Sequence, residues 1–216
     1  VGDIYLGKVR KIMPGLNAAF VNIGHEKDAF IHYLDLGANY RSLDKLVSSH
    51  MPGKRSQRVE AMKLEQPLEK EGRIGDHLKV GDLVMVQIAK EAISTKGPRL
   101  TADISLAGRN VVLVPFTSKV FVSTKIRSNA AKKRLRKVAQ EVLPPNFGVI
   151  IRTAAADAED IDIMQDILSL VERWNTTLAA ISKSEAPARL MSEMSRVNTI
   201  IRDSLNDTFS QIMVDD

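Results

Sequence analysis

The feature that most constrains the fold is a series of short segments in which apolar and polar side chains alternate. The first covers residues 3–12 and is followed by a turn at Pro14-Gly15. Alternation with a period of two is typical of strands that bury one face. Four further apolar segments follow, at 18–24, 29–32, 83–88 and 99–104. Five short strands with glycine at the bends predict a five-stranded barrel of the OB type over residues 1–104.

From about residue 105 the pattern changes to alternating strands and helices. Residues 111–115 and 119–123 predict a strand pair, and Ser128 is a candidate cap for the helix that follows. Residues 148–153 predict a buried strand. A long helix comes next, and its predicted apolar face consists of Ile161, Met164, Leu168, Val171, Trp174 and Leu178. The fold class is therefore α+β, with the barrel followed by an α+β domain at 105–194.

Charge is segregated along the chain, although the net charge is only +5. Residues 104–140 contain nine Lys and Arg and no Asp or Glu, whereas residues 141–216 contain six Lys and Arg against thirteen Asp and Glu. This distribution concentrates a positive field on one region and favours a polyanionic partner. A single basic run is, however, more often a solvated helix face.

Several classes of protein are excluded by what the sequence lacks. There is no cysteine, so disulfides and thiol chemistry are excluded within this chain, and a reducing, cytoplasmic setting is favoured. The first residues do not have the pattern of a signal peptide. No apolar stretch approaches the roughly 20 residues that a membrane span needs. We expect a soluble protein with no membrane span.

Two aromatic residues of the predicted barrel are candidates for binding single-stranded nucleic acid. Barrels of this type stack bases on exposed aromatic side chains and hold the phosphates with basic residues. Phe20 and Phe30 lie on successive predicted strands, and Lys8, His32 and Lys96 are placed to surround them. Periodicity alone leaves burial of either phenylalanine in the barrel core equally open.

A polar segment at about 37–76 interrupts the barrel between its third and fourth strands. A structureless loop of this length is unusual in a compact domain. We expect an insertion with only short helical pieces that is either mobile or ordered by RNA or a partner.

No constellation of residues predicts catalysis or metal binding within this chain. His25, His50 and His77 lie in predicted loops without companions. The acidic run at 157–162 is read as charge at a helix N-terminus, where it favours the helix dipole. Asp215 and Asp216 are adjacent, so in a strand they would point to opposite faces.

Several motifs, taken together, resemble the N-terminal region of the ribonuclease E/G family. In the first unit they are Ile4-Tyr5-Leu6-Gly7-Lys8-Val9, Ala18-Ala19-Phe20-Val21-Asn22-Ile23-Gly24, Ala29-Phe30-Ile31-His32, Val86-Gln87-Ile88 and Thr95-Lys96-Gly97-Pro98-Arg99-Leu100-Thr101. In the second they are Ile104-Ser105-Leu106-Ala107-Gly108 and Ile151-Arg152-Thr153-Ala154. Their order and spacing extend the resemblance over nearly the whole chain.

The resemblance implies an S1-type RNA-binding domain at 1–104 and a sensor of the RNA five-prime end at 105–194. In the family, residues at the positions of Phe20 and Phe30 stack on a base, and the position of Lys96 helps to hold the strand. The implied pocket for a terminal monophosphate consists of Gly108, Val112, Arg152 and Thr153. Thr124 stands where many relatives carry an arginine of this pocket, so Lys125 or Arg127 is a candidate substitute, and discrimination is expected to be weaker. Leu6 likewise stands where relatives often carry a basic residue.

The resemblance also implies what this chain does not contain. The family cleaves RNA with two aspartates that hold magnesium in a later domain, so we expect a fragment with no catalytic residues of its own, inactive alone, with a truncated ribonuclease H-like unit at 195–216. The implied function is substrate recognition for an endoribonuclease of RNA decay and rRNA processing, a homo-oligomer when complete. The alternative is a non-enzymatic RNA-binding adapter or translation-associated module built on the same barrel.

Overall fold

The structure is a computed structural model that describes residues 1–194, 198–200, 211 and 213. The expected further unit at 195–216 falls almost entirely outside these residues. Within them, no helix is both long enough and apolar enough to cross a bilayer.

The first half of the chain forms a closed barrel, as the alternating segments predict. Its strands are β1 (Ile4–Met13), β2 (Ala18–Asn22), β3 (Ala29–His32), β4 (Leu83–Lys90) and β5 (Arg99–Thr101). They lie in the order β1-β2-β3-β5-β4, and β4 pairs with β1 to close the barrel. The β3–β5 pair is parallel and the other pairs are antiparallel. The expected five-stranded OB-type barrel is confirmed.

The insertion between β3 and β4 is packed onto the barrel. It contains the helix α1 (Tyr40–Ser49) and two short 3-10 turns, Val59–Ala61 and Ile74–Asp76. Its apolar side chains join the core, and those that are at most 2% exposed include Leu43, Leu46, Val47, Val59, Ile74 and Leu78. The structure thus differs from the expected mobile or partner-ordered segment, because the insertion is ordered by packing within the chain.

The second sheet contains β6 (Leu106–Ala107), β7 (Val111–Pro115), β8 (Val120–Val122) and β9 (Phe147–Ile151), in the order β6-β7-β9-β8. The expected pairing of residues 111–115 with 119–123 is wrong, because β9 lies between these strands. The helix α2 (Asn129–Val142) connects β8 to β9, and β8 and β9 pair in parallel. A strand–helix–strand unit of this kind places its two strands side by side.

The long helix α3 (Asp160–Ile181) buries half of the expected apolar face and leaves part of it exposed. Val171, Trp174 and Leu178 are buried as predicted, whereas Ile161 and Leu168 are 57% and 51% exposed. Ile163 and Ile167, which the pattern did not assign to this face, are fully buried. The helix is apolar on more than one side, so its periodicity did not fix which stripe faces the sheet. The buried stripe packs against β7 and α2.

After α3 the chain returns to the barrel. The strand β10 (Ala188–Met191) pairs with the beginning of β1, antiparallel. The segment assigned to the second domain therefore ends on the sheet of the first. Side chains of both halves belong to one continuous apolar core.

Candidate nucleic-acid interface

Phe20 and Phe30 lie opposite each other on β2 and β3, on the outer face of the barrel. Their strand neighbours Ala19, Val21 and Ile31 are buried, so alternation turns the two rings outward. The ring centroids are 5.9 Å apart with an interplanar angle of 70°, and both rings are half-buried. Neither phenylalanine fills the barrel core.

Basic residues flank this aromatic pair on both sides. Lys11 of β1 lies opposite Phe20, and Arg99 of β5 lies opposite Phe30. Lys8, predicted from the sequence, is exposed and lies opposite Asn22. Lys11 and Arg99 were not predicted as site residues. An irregularity in β1 between Val9 and Lys11 shifts the register, so simple alternation could not place Lys11 beside Phe20.

Arg99 is held in place by an acidic neighbour. Its Nε and Nη2 donate to the two carboxylate oxygens of Asp35, both at 3.0 Å. The bidentate hydrogen bonds and the charge of Asp35 raise the pKa of Arg99. The guanidinium is therefore a fixed cation at the edge of the aromatic pair.

His32 lies on the same outer face and caps the short 3-10 helix Tyr33–Leu36. The ring Nδ1 of His32 accepts from the backbone N–H of Leu34 at 3.1 Å, and the backbone N–H of His32 donates to Asp35 Oδ2 at 3.2 Å. In the neutral ring the proton is then on Nε2. This predicted site residue thus has a structural role that fixes its ring.

Lys96 lies on an exposed turn that is anchored beside β3. The N–H of Phe30 donates to the carbonyl of Pro98 at 2.9 Å. A Cβ on Gly97 would lie 2.1 Å from the carbonyl oxygen of Asp28, so only glycine permits this approach. The turn therefore brings Lys96 to the edge of the aromatic face.

A second group of polar side chains lies at the end of β9; we call Arg152, Thr153, Ser123 and Gly108 the strand-end cluster. Arg152 Nη1 donates to the carbonyl of Gly108 at 2.7 Å. The hydroxyls of Ser123 and Thr153 are 3.1 Å apart. The structure thus brings together three residues predicted from distant parts of the sequence. Ser123 was not predicted, and the only sequence signal for it is its place directly after β8.

The turn that contains Gly108 is braced by α3. Asp166 Oδ2 accepts from the backbone N–H groups of Asn110 at 2.7 Å and Val111 at 3.2 Å. A Cβ on Gly108 would lie 2.3 Å from Asp166 Oδ1. The carbonyl that holds Arg152 is therefore positioned by a carboxylate from another element.

Val112 and Lys125, the remaining predicted site residues, border this cluster. Val112 is half-buried on the outer face of the sheet, opposite Ile150. Lys125 is exposed in the loop after β8, and its backbone N–H donates to Ser123 Oγ at 3.4 Å. Thr124, next to it, is exposed too.

In the part of the chain that the structure describes, no group of three or more His, Asp or Glu side chains is arranged to hold a metal ion.

Comparisons with known proteins agree on one family. The model of the ribonuclease E/G family matches residues 105–216. Ribonuclease E of Nostoc sp. is 34% identical over 216 residues, which cover 100% of this chain and 28% of the relative. Ribonuclease E of Synechocystis sp. is 33% identical with the same coverage, and ribonuclease G of Haemophilus influenzae is 32% identical over 100% of this chain and 40% of its own length. The chain thus spans two fifths or less of these relatives.

A solved structure with some local likeness is the RNase P protein of Staphylococcus aureus. It covers 32% of this chain and 77% of its own, with a TM-score of 0.28 and 19% identity. A likeness this weak carries no argument.

Proposed function

Because this chain belongs to the ribonuclease E/G family, we propose that it is the substrate-recognition region of an endoribonuclease and binds single-stranded RNA together with the RNA's five-prime monophosphate end. The relatives are ribonucleases by name, and this chain covers only a part of each. Cleavage with magnesium, homo-oligomer formation and a role in RNA decay and rRNA processing are proposed for the complete protein.

The observation that carries the proposal is the outward-facing pair Phe20 and Phe30 between Lys11 and Arg99. Every base has a π-face that can stack on an aromatic ring, so this contact does not depend on the RNA sequence. Each stacked base contributes about 1–3 kcal/mol to the binding free energy. Lys11 is exposed and placed to attract a phosphate on one side, whereas Arg99, whose charge is balanced by Asp35, presents its remaining N–H groups on the other. Bases in a duplex are already stacked on each other, so this face favours single strands.

The strand-end cluster supports recognition of a terminal phosphate. A guanidinium offers N–H donors in a planar fork that matches phosphate oxygens, and the hydroxyl pair of Ser123 and Thr153 adds a further donor, since one of the two O–H groups donates to the other. The carbonyl of Gly108 accepts from Nη1 of Arg152, and Thr153, the next residue, contacts the hydroxyl of Ser123 at the same strand end. Because Thr124 stands where many relatives carry an arginine, we expect a moderate preference for the monophosphate.

Binding to single-stranded and duplex RNA of one sequence tests the first half of the proposal. We expect the wild-type chain to prefer the single strand, and Phe20→Ala to weaken that binding by about 5–150-fold, the equivalent of one lost stacking contact. Leu34→Ala removes an exposed apolar side chain outside the aromatic pair and is the matched control. Equal affinity for single strand and duplex, unchanged in Phe20→Ala, would reject the barrel as the RNA site.

The five-prime end is tested with RNAs that carry a monophosphate or a hydroxyl there. We expect tighter binding of the monophosphate by the wild-type chain and loss of this difference in Thr153→Val, which removes the hydroxyl from an exposed position at little cost in stability. Thr176→Val, at an exposed threonine of α3 outside the cluster, is the control. If both ends bind equally in the wild-type chain, the sensor assignment fails and the adapter alternative gains support.

A further inference from the structure

The helix α2 presents a basic face that neither proposed site uses. It contains five Lys and Arg and one acidic residue, Glu141. Leu135, Val138 and Ala139 pack into the core, which turns the opposite side of the helix to solvent. The exposed basic side chains on that side are Lys133, Arg136 and Lys137. Spacings of three and four residues place all three on one stripe.

One basic residue of α2 has a different orientation and a structural role. Arg134 donates from Nη1 to Asp160 Oδ1 at 2.6 Å and to the carbonyl of Ala158 at 3.3 Å, and from Nη2 to the carbonyl of Ala156 at 3.3 Å. Arg134 thereby fixes α2 to the start of α3. Lys133, Arg136 and Lys137, which form the stripe, take no part in the contact of Arg134 with α3.

The stripe is weakly neutralised within the chain. Lys137 Nζ lies 4.0 Å from Glu141 Oε1, the one ion pair of the stripe in the part of the chain that the structure describes. Both partners are substantially exposed, and such pairs contribute at most about 0.5 kcal/mol. A face whose purpose is solubility normally mixes both signs, whereas residues 104–140 contain no Asp or Glu at all.

The stripe begins beside the strand-end cluster. Ser123 contacts Thr153, and Ser128 caps α2 by accepting from the N–H of Ala131 at 3.2 Å. The loop between these serines adds the exposed cations Lys125 and Arg127. Since a helix rises 1.5 Å per residue, the 14 residues of α2 extend about 20 Å away from the cluster.

We infer that the stripe Lys133, Arg136 and Lys137 of α2, continued by Lys125 and Arg127, is a second RNA-binding surface that holds backbone phosphates of the strand whose five-prime end lies at the strand-end cluster. This inference rests on the proposed function and adds a phosphate-binding track to it. A single-stranded polyanion matches a stripe of one sign, and each phosphate that it neutralises releases bound counterions. Affinity that comes from the stripe therefore falls with salt and grows with RNA length.

The test compares two triple variants that remove the same charge. Lys133→Gln, Arg136→Gln and Lys137→Gln neutralise the stripe and keep good helix formers in place. Lys54→Gln, Arg55→Gln and Lys70→Gln neutralise three exposed cations of the insertion and control for net charge. The measurement is the dissociation constant for five-prime-monophosphorylated RNAs of about three and about twelve nucleotides at several salt concentrations, lengths chosen below and within the usual range of such barrels.

The association constant falls with salt, and each contact to a single-strand phosphate contributes about 0.7 to the steepness of that fall on a log–log plot. For the longer RNA, we therefore expect the loss of three contacts in the stripe variant to make the slope shallower by about 2. The control variant is expected to keep the wild-type slope, and the short RNA to bind both variants alike. Equal slopes in the two variants would overturn the inference and leave the stripe as a solvated face or a site for an acidic protein. The proposed function fails separately, if the wild-type chain binds neither RNA.

Discussion

Gly108 links the strand-end cluster to the packing of the second unit. Its carbonyl accepts from Arg152, and the carboxylate of Asp166 occupies the space where a side chain would be. Asp166 cannot move without giving up its hydrogen bonds to two backbone N–H groups. The absence of a side chain at residue 108 is thus a condition for the geometry at Arg152.

We predict that Gly108→Ala lowers the free energy of unfolding by about 1–3 kcal/mol, the usual cost of overpacking a tight contact. The added methyl group would lie 2.3 Å from Asp166 Oδ1. Gly15→Ala is the control, because nothing lies within 4 Å of its added Cβ. Urea denaturation of both variants measures the difference. Equal stability of the two would mean that Asp166 does not hold the turn as described.

Two substitutions of His32 distinguish its structural role as a helix cap from its proposed role in RNA binding. We predict that His32→Ala lowers the free energy of unfolding by about 1 kcal/mol, because the N–H of Leu34 loses its acceptor. His32→Asn is expected to restore most of this loss, since an asparagine oxygen is a good helix cap. If the imidazole contacts RNA, both variants weaken RNA binding equally. If His32→Asn restores both the stability and the RNA affinity of the wild-type chain, the only role of His32 is to cap the 3-10 helix.

At the scale of elements, one arginine connects α2 to the start of α3 in addition to the core packing of the helix. We predict that Arg134→Ala lowers the free energy of unfolding by about 1–3 kcal/mol, because the partly buried carbonyls of Ala156 and Ala158 lose their donor. The RNA salt dependence is expected to stay unchanged. Lys137→Ala, which removes an exposed partner 4.0 Å from Glu141, is the stability control. A reduced salt slope in a folded Arg134→Ala variant would contradict the separation of the two roles.

The elements also show how far the sequence determines this fold. Alternation predicted the barrel strands because each buries one face, and the closed barrel is observed. The strand pairing in the second unit was wrong because β9, which lies between β7 and β8, comes from a later part of the chain. Because β9 is distant in the sequence, the local patterns of β7 and β8 contain no information that it will lie between them.

The same limit applies to the candidate sites. Phe20 and Phe30 could be identified from the sequence, but their outward orientation depends on the register of β2 and β3. Lys11 reaches the aromatic pair through an irregular register in β1, and Arg99 through a parallel pair with β3. The sequence therefore predicted the residue types that line the two candidate sites better than it predicted which of these residues lie side by side.

At the scale of the whole molecule, the two units are connected at several points. The strand β10 joins the barrel sheet after α3, and Arg189 Nη1 lies 3.6 Å from Asp3 Oδ2. Asn146 Nδ2 donates to the carbonyls of Val59 and Met62 in the insertion, at 2.8 and 2.9 Å. The aromatic face and the strand-end cluster are therefore parts of one body, and a single RNA strand is expected to engage both.

Site-specific cross-linking tests this expectation most directly. An RNA of about twelve nucleotides with a five-prime monophosphate would carry a photoreactive base either at the first nucleotide or in the interior, and the cross-linked peptides would be identified by mass spectrometry. We predict that the first nucleotide cross-links to residues 108–112, 123–125 or 152–153, and that an interior nucleotide cross-links to β2 and β3 around Phe20 and Phe30. Cross-links of both positions to one region, or of either to the insertion at 37–76 alone, would contradict the account.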